Sequence, residues 1–220
     1  MGIGRREFVR LTGLALAGLS LDPLQSVAVN QDAYINRKLG VLFYKPRDWG
    51  FISVKDFGKL KSKQIIGGGL EETSEEIWNE LGDPICVMTK YYEDRPEQKG
   101  IFSPTITVNI TPKSELAEVD YESFEELIEL SGYGISLVLK DFRIIKSYDP
   151  YISSGCRFYE LDAEYMFEHV EINEPLKVEL KVLKAEHNGF YYDFSCHQCK
   201  TQNQVADKEF NEFLKTIRMI

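Results

Sequence analysis

Two thiols and an imidazole stand within four residues at Cys196-His197-Gln198-Cys199. C-x-x-C spacing brings two sulfurs within reach of one disulfide or one metal ion, and the neighbouring imidazole could add a nitrogen ligand. Haem attachment requires His where Lys200 stands, which removes that chemistry. A thioredoxin-type site would open a helix after a parallel strand, whereas this motif ends a hairpin strand. Zinc sites usually take four ligands, so two more would have to come from elsewhere. Cys196, His197 and Cys199 are therefore candidate ligands for a divalent metal. The alternatives are a local Cys196–Cys199 disulfide, thiol-redox exchange, or two thiols with no chemistry.

The strands that carry this motif set what can reach it. Asn188-Gly189 is a strong hairpin signal, because both residues tolerate positive φ. Centred there, the hairpin puts Cys196 opposite about Lys181. A preceding turn over Glu171–Leu176 would put Lys181 opposite about Met166. Cys156 then lies on the order of 30 Å away along its strand, too far to pair with Cys196 or to share its metal. His169, His187 and His197 do not converge under the same register.

Other constellations are weaker. Gly67-Gly68-Gly69 lacks the Lys-Ser/Thr of a phosphate loop and reads as a bend. Glu160, Asp162 and Glu164 alternate on one strand face and could attract a cation, but neighbours Lys177, Glu179 and Lys181 suggest a solvated, salt-bridged face. Glu122, Glu125, Glu126 and Glu129 give one helix an acidic outer side. Trp49, Tyr91 and Tyr92 read as packing residues. The chain contains no G-x-S-x-G elbow, H-E-x-x-H helix or P-loop. Three dispersed histidines offer few bases for a nucleophile. No catalytic or cofactor-binding residue is assigned, and the expectation is a protein that is not an enzyme.

The first 28 residues have the order of an export signal. Arg5, Arg6 and Arg10 precede a short apolar run from Leu11 to Leu21, and Ser26-Val27-Ala28 offers small residues for cleavage after Ala28. The run falls well short of the roughly 20 residues that span a bilayer. Arg5-Arg6-Glu7-Phe8-Val9-Arg10 closely resembles the twin-arginine export motif. That resemblance implies a domain that folds before it crosses a membrane, into the periplasm or a compartment like the thylakoid lumen.

One domain is expected over residues 29–220, because no linker, repeat or low-complexity stretch divides it. Apolar content of 43% argues for a packed globular core rather than a disordered chain. The formal charge is −9, and the leader's own balance is slightly positive, so the remainder is more acidic still. Such a surface repels phosphate backbones and anionic membranes, which leaves a protein as the expected partner. No later segment is long and apolar enough to form a transmembrane helix.

The pattern of elements is α+β. Strands are expected at "KLGVLFYKPRDW", "PICVMTKYY" and "PTITVNITP", and helices at "TSEEIWNEL" and from Asp120 onward. Four more strands follow in "FRIIKSYD", "CRFYELDAEYMFEH", "LKVELKVLKAEH" and "FYYDFSC", and "DKEFNEFLKTI" closes the chain as a helix. This order resembles the Mog1/PsbP family, carried by "LGVLFYKPRDW", "SPTITVNI", the central helix, the late meander and "FNEFLKTIRMI". The resemblance implies a twisted antiparallel sheet with helices on both faces. It also implies a mostly non-catalytic accessory role, as in photosystem subunits, a nuclear-transport regulator and bacterial envelope proteins.

Overall fold

The computed structural model describes residues 27–29, 32–61, 63–67, 77, 84–91, 101–201 and 206–220. Arg5, Arg6, Phe8, Gly68-Gly69, nearly all of the "TSEEIWNEL" segment and Tyr92 lie outside them. In chain order the first strands are β1 (Val27–Val29), β2 (Ala33–Asn36), β3 (Val41–Tyr44) and β4 (Gly50–Ile52). Helix α1 (Val54–Lys61) leads to β5 (Gln64–Ile65), β6 (Cys86–Thr89) and β7 (Thr105–Pro112). A 3-10 turn at Lys113–Leu116 precedes helix α2 (Phe124–Val138). Then come β8 (Arg143–Ser147), β9 (Tyr151–Ser153), β10 (Cys156–His169), β11 (Leu176–His187) and β12 (Phe190–Gln198). Helix α3 (Ala206–Leu214) and β13 (Arg218–Met219) close the fold.

The strands form a nine-stranded sheet and a four-stranded sheet ordered β1-β2-β3-β13. The large sheet runs β4-β6-β7-β12-β11-β10-β5, with β8 and β9 also pairing β10. Every pairing is antiparallel. The α+β class and the helices on both faces are as the sequence implies. The small sheet is an addition: β1, β2 and β13 are too short for alternation to reveal. Ala28, the expected cleavage residue, pairs with Ile35 in the small sheet.

Strand alternation splits the large sheet into two unlike faces. Ile106, Val108, Ile110, Leu183, Tyr192, Phe194 and Cys196 pack with Phe43 of the small sheet and with Phe210 and Phe213 of α3. Trp49 meets Phe210 edge to face at 5.7 Å between ring centroids, so it is core as expected. On the other face Leu161, Ala163, Val178, Leu180 and Val182 pack against Ile135 and Val138 of α2.

Ser123, rather than Asp120, caps α2: its Oγ accepts from the Glu126 backbone N–H at 3.1 Å. The Glu126 carboxylate accepts in turn from the Glu122 N–H at 2.7 Å. Gly132 and Gly134 lie inside the helix, which continues to Val138.

Candidate functional site

The chemistry read from the Cys196–Cys199 segment does not assemble in three dimensions. Cys196 pairs with Lys181, as expected from the Asn188-Gly189 turn, whose φ values are 48° and 80°. Its side chain points into the apolar core beside Phe194, and burial pushes its thiol up. His197, the next residue, points to the opposite face, where its Nδ1 lies 3.2 Å from the Tyr165 hydroxyl. Burial holds that imidazole down at about 4, so it is neutral at pH 7. Cys199 is buried past the strand end, with its Sγ 3.2 Å from Thr201 Oγ1. Both thiols are free. Adjacent strand residues cannot ligate one ion without reversing a side chain across the sheet. Among the described residues, no three His, Cys, Asp or Glu side chains gather as a metal site would require.

The register between β10 and β11 also differs from expectation. Lys181 lies opposite Asp162, not Met166. The cause is at the strand ends: β11 starts immediately after Pro175, while Glu168 and His169 of β10 leave β11 to pair with β5. Cys156 therefore lies roughly 20 Å, not 30 Å, along its strand from the residue that faces Lys181.

The acidic strand face behaves as read. Lys181 bridges Glu160 at 3.2 Å and Asp162 at 3.1 Å, and Lys177 reaches Glu164 at 2.7 Å. Lys177 first, then Arg143, holds the Glu164 carboxyl below its usual range. The acidic helix face has more contacts than the sequence suggested. Glu125 accepts from the Tyr159 hydroxyl at 2.6 Å and pairs with Arg157 at 2.8 Å.

Two arrangements were missed in the sequence. One is a polar row buried beneath α2. Lys184 and Asp193 form an ion pair across β11 and β12, and Ser195 Oγ donates to Asp193 at 2.5 Å. Ser131 of α2 faces this row with a buried Oγ that has no hydrogen-bond partner. Asp193, Ser195 and His197 alternate with Phe194 and Cys196, which was visible as a pattern but reads equally as an exposed strand face.

The other is an apolar edge. Tyr133 and Leu137 on α2, Ile144 and Ile145 on β8, and Tyr151 and Ile152 on β9 are all exposed, Ile152 at 70%. Strands β8 and β9 pair only with β10 among the described residues, so their outer sides form an open edge. Ile144 rests against α2 at Gly132, where an added Cβ would sit 3.3 Å from its Cδ1. Arg143 and Arg157 border it, each exposed and each paired to a carboxylate, Glu164 and Glu125 respectively.

No protein-family model matches the sequence, and no curated protein is similar to it. Among solved structures, the cyanobacterial PsbP (CyanoP) of Synechocystis sp. PCC 6803 superposes with a TM-score of 0.51. The superposition covers 93% of this chain and 99% of that one at 13% identity. The chain has a PsbP-like fold. Two other structures are similar at lower scores. LpqN, involved in cell envelope biogenesis of Mycobacterium tuberculosis, gives a TM-score of 0.45 at 12% identity, over 81% of this chain and 82% of its own. A Pseudomonas aeruginosa protein of unknown function gives 0.42 at 11%, over 59% and 78%. On the PsbP-like framework, the buried polar row lies under α2 and the apolar edge lies along the outer side of β8 and β9. No described helix is long and apolar enough to cross a membrane.

Proposed function

We propose that this is an exported, non-catalytic accessory protein of the cell envelope that binds a partner protein through the α2–β8–β9 edge. The observation that carries this reading is the concentration of exposed large apolar side chains on that edge. Isolated exposed apolar residues are ordinary, but a cluster rimmed by polar groups marks an interaction surface. Export rests on the twin-arginine resemblance of residues 5–10.

The edge also limits how the partner binds. A register shift between Asp162 and Ala163 bulges the β8 pairing, and Arg143 and Lys146 flank the two isoleucines. Bulges and cations are devices that discourage a new strand from adding to an edge. Contact is therefore through side chains, with Ile152 at the centre on the α2 side of the sheet.

A photo-crosslinking residue at Ile152, compared with one at the equally exposed Val170, tests the reading in the intact cell. One protein should be captured from position 152 and not from 170, and Tyr133→Asp with Leu137→Asp on α2 should abolish the adduct without moving the thermal midpoint. Equal capture at both positions, or capture that survives the double substitution, would refute the assignment.

A further inference from the structure

A cysteine and a histidine outside the Cys196–Cys199 segment do meet. Residues β9 and β10 join through Ser154-Gly155, with φ of 51° and 75°, and β11 and β12 join through Asn188-Gly189. The register that sets Phe158 opposite Ala185 brings the two hairpins to the same end of the sheet. There Cys156 Sγ lies 3.0 Å from His187 Nδ1. His187 Nε2 lies 3.4 Å from the backbone oxygen of Ile220.

The Ile220 backbone oxygen can only accept, so Nε2 carries a ring hydrogen, and in that neutral tautomer Nδ1 presents its lone pair to Cys156. Only the Cys156 thiol can donate to that lone pair. The ring is held from below by the Leu39–Gly40 turn. Gly40 has φ +69°, and a Cβ there would sit 2.8 Å from Ile220 O and 3.3 Å from His187 Cδ2. The Ile220 N–H donates to the Gly40 carbonyl at 2.9 Å, which holds the acceptor of Nε2 in place.

Both residues line a cleft of about 490 Å³, with Phe124, Arg157, Tyr159 and Glu186 among its other walls. Cys156 itself is only 5% exposed, and its burial raises the thiol above the usual range. A nearly buried thiol with an imidazole in contact suits a small electrophile better than a bulky disulfide or a metal complex. The other three cysteines have no such base: Cys86 and Cys196 face the apolar core, and Cys199 contacts Thr201.

We propose that Cys156 is the oxidation-sensitive thiol of this protein, with His187 as its proton acceptor and hydrogen peroxide as the oxidant class. Nδ1 of His187 takes the thiol proton as the sulfur attacks one peroxide oxygen. The O–O bond breaks, and the departing hydroxide takes the proton from Nδ1 to leave as water. Sulfur is oxidised by two electrons to the sulfenic acid and peroxide is reduced to water. No second cysteine is joined to Cys156, so an external thiol must condense with the sulfenic acid before further peroxide carries it to the sulfinic acid.

The test is limited hydrogen peroxide treatment of the folded full chain, with sulfenic acid trapped by a cyclic dione and each cysteine quantified by peptide mass spectrometry. Cys156 should be labelled at least about tenfold more than Cys86, Cys196 or Cys199, because its thiol contacts an imidazole that can take its proton. His187→Gln should reduce the labelling of Cys156 by about tenfold while leaving the other three unchanged. Uniform labelling of the wild-type chain, or no labelling of Cys156, overturns the proposal without need of a variant. Undiminished labelling in a folded His187→Gln protein overturns the role of His187.

Discussion

The two faces of the large sheet are built on different principles. Towards α3 and the small sheet, the core is apolar and aromatic, with Phe43, Phe194 and Phe213 in mutual ring contact at 5.7–6.4 Å. Towards α2, the same strands place Asn109, Lys184, Asp193 and Ser195 in the interior. Dispersion contacts on the first face are numerous and individually weak, so small losses there are graded. The second face holds an ion pair and oriented hydroxyls away from water. There a single deletion leaves a charge or dipole unmatched.

The largest expected departure from this contrast comes from the buried pair. Asp193→Ala should destabilise the fold by about 3–5 kcal/mol, because the Lys184 ammonium then remains buried alone. Joint replacement by Lys184→Met and Asp193→Leu should recover most of that loss, as read by urea unfolding at pH 7. If the double variant is as unstable as Asp193→Ala, the row does more than satisfy itself.

A smaller effect should appear with acid. His197 titrates at about 4 when folded and at 6.5 in its unperturbed state, so between those values the unfolded chain binds the extra proton. Stability contributed by the neutral imidazole is present above pH 6.5 and is lost as pH falls to 4. The shift corresponds to at most about 3 kcal/mol, less where solvent reaches the half-buried residue. His197→Gln should flatten the unfolding midpoint over this window, whereas an unchanged slope would place the acid sensitivity elsewhere.

The smallest effect reverses sign between the faces. Ile106→Val removes one methylene from the apolar side and should cost about 1 kcal/mol. Ser131→Ala removes a buried hydroxyl that has no partner, and should be neutral or stabilising by up to about 1 kcal/mol. Equal destabilisation by both, measured by thermal unfolding, would mean that the two faces do not differ in the way described.

Alternation made β10 and β11 legible to the residue, and the Asn188-Gly189 turn placed Cys196 opposite Lys181 correctly. The register between β10 and β11 was not legible, because it depends on β5 capturing Glu168 and His169, a contact between distant parts of the chain. The helix end was misread at Asp120 since both Asp120 and Ser123 are competent caps, and only Ser123 has Glu126 three residues on. Cys196 and His197 are neighbours in the chain, but strand alternation turns their side chains to opposite faces of the sheet, which their spacing alone does not show. Cys156 and His187 carried no local signal at all. Their meeting depends on two hairpin turns ending level with one another.

Strand β13 gives the fold a constraint in time as well as in space. The Tyr44 N–H donates to Thr216 Oγ1 across 172 residues of sequence, and Arg218 and Met219 complete the sheet that β3 begins. A nascent chain can assemble the β10–β12 meander from neighbours, but its second sheet waits until residue 219 has left the ribosome. Such non-local closure is slow relative to hairpin formation. Any partner that recognises only the finished fold would therefore meet this chain only after residue 219 has emerged.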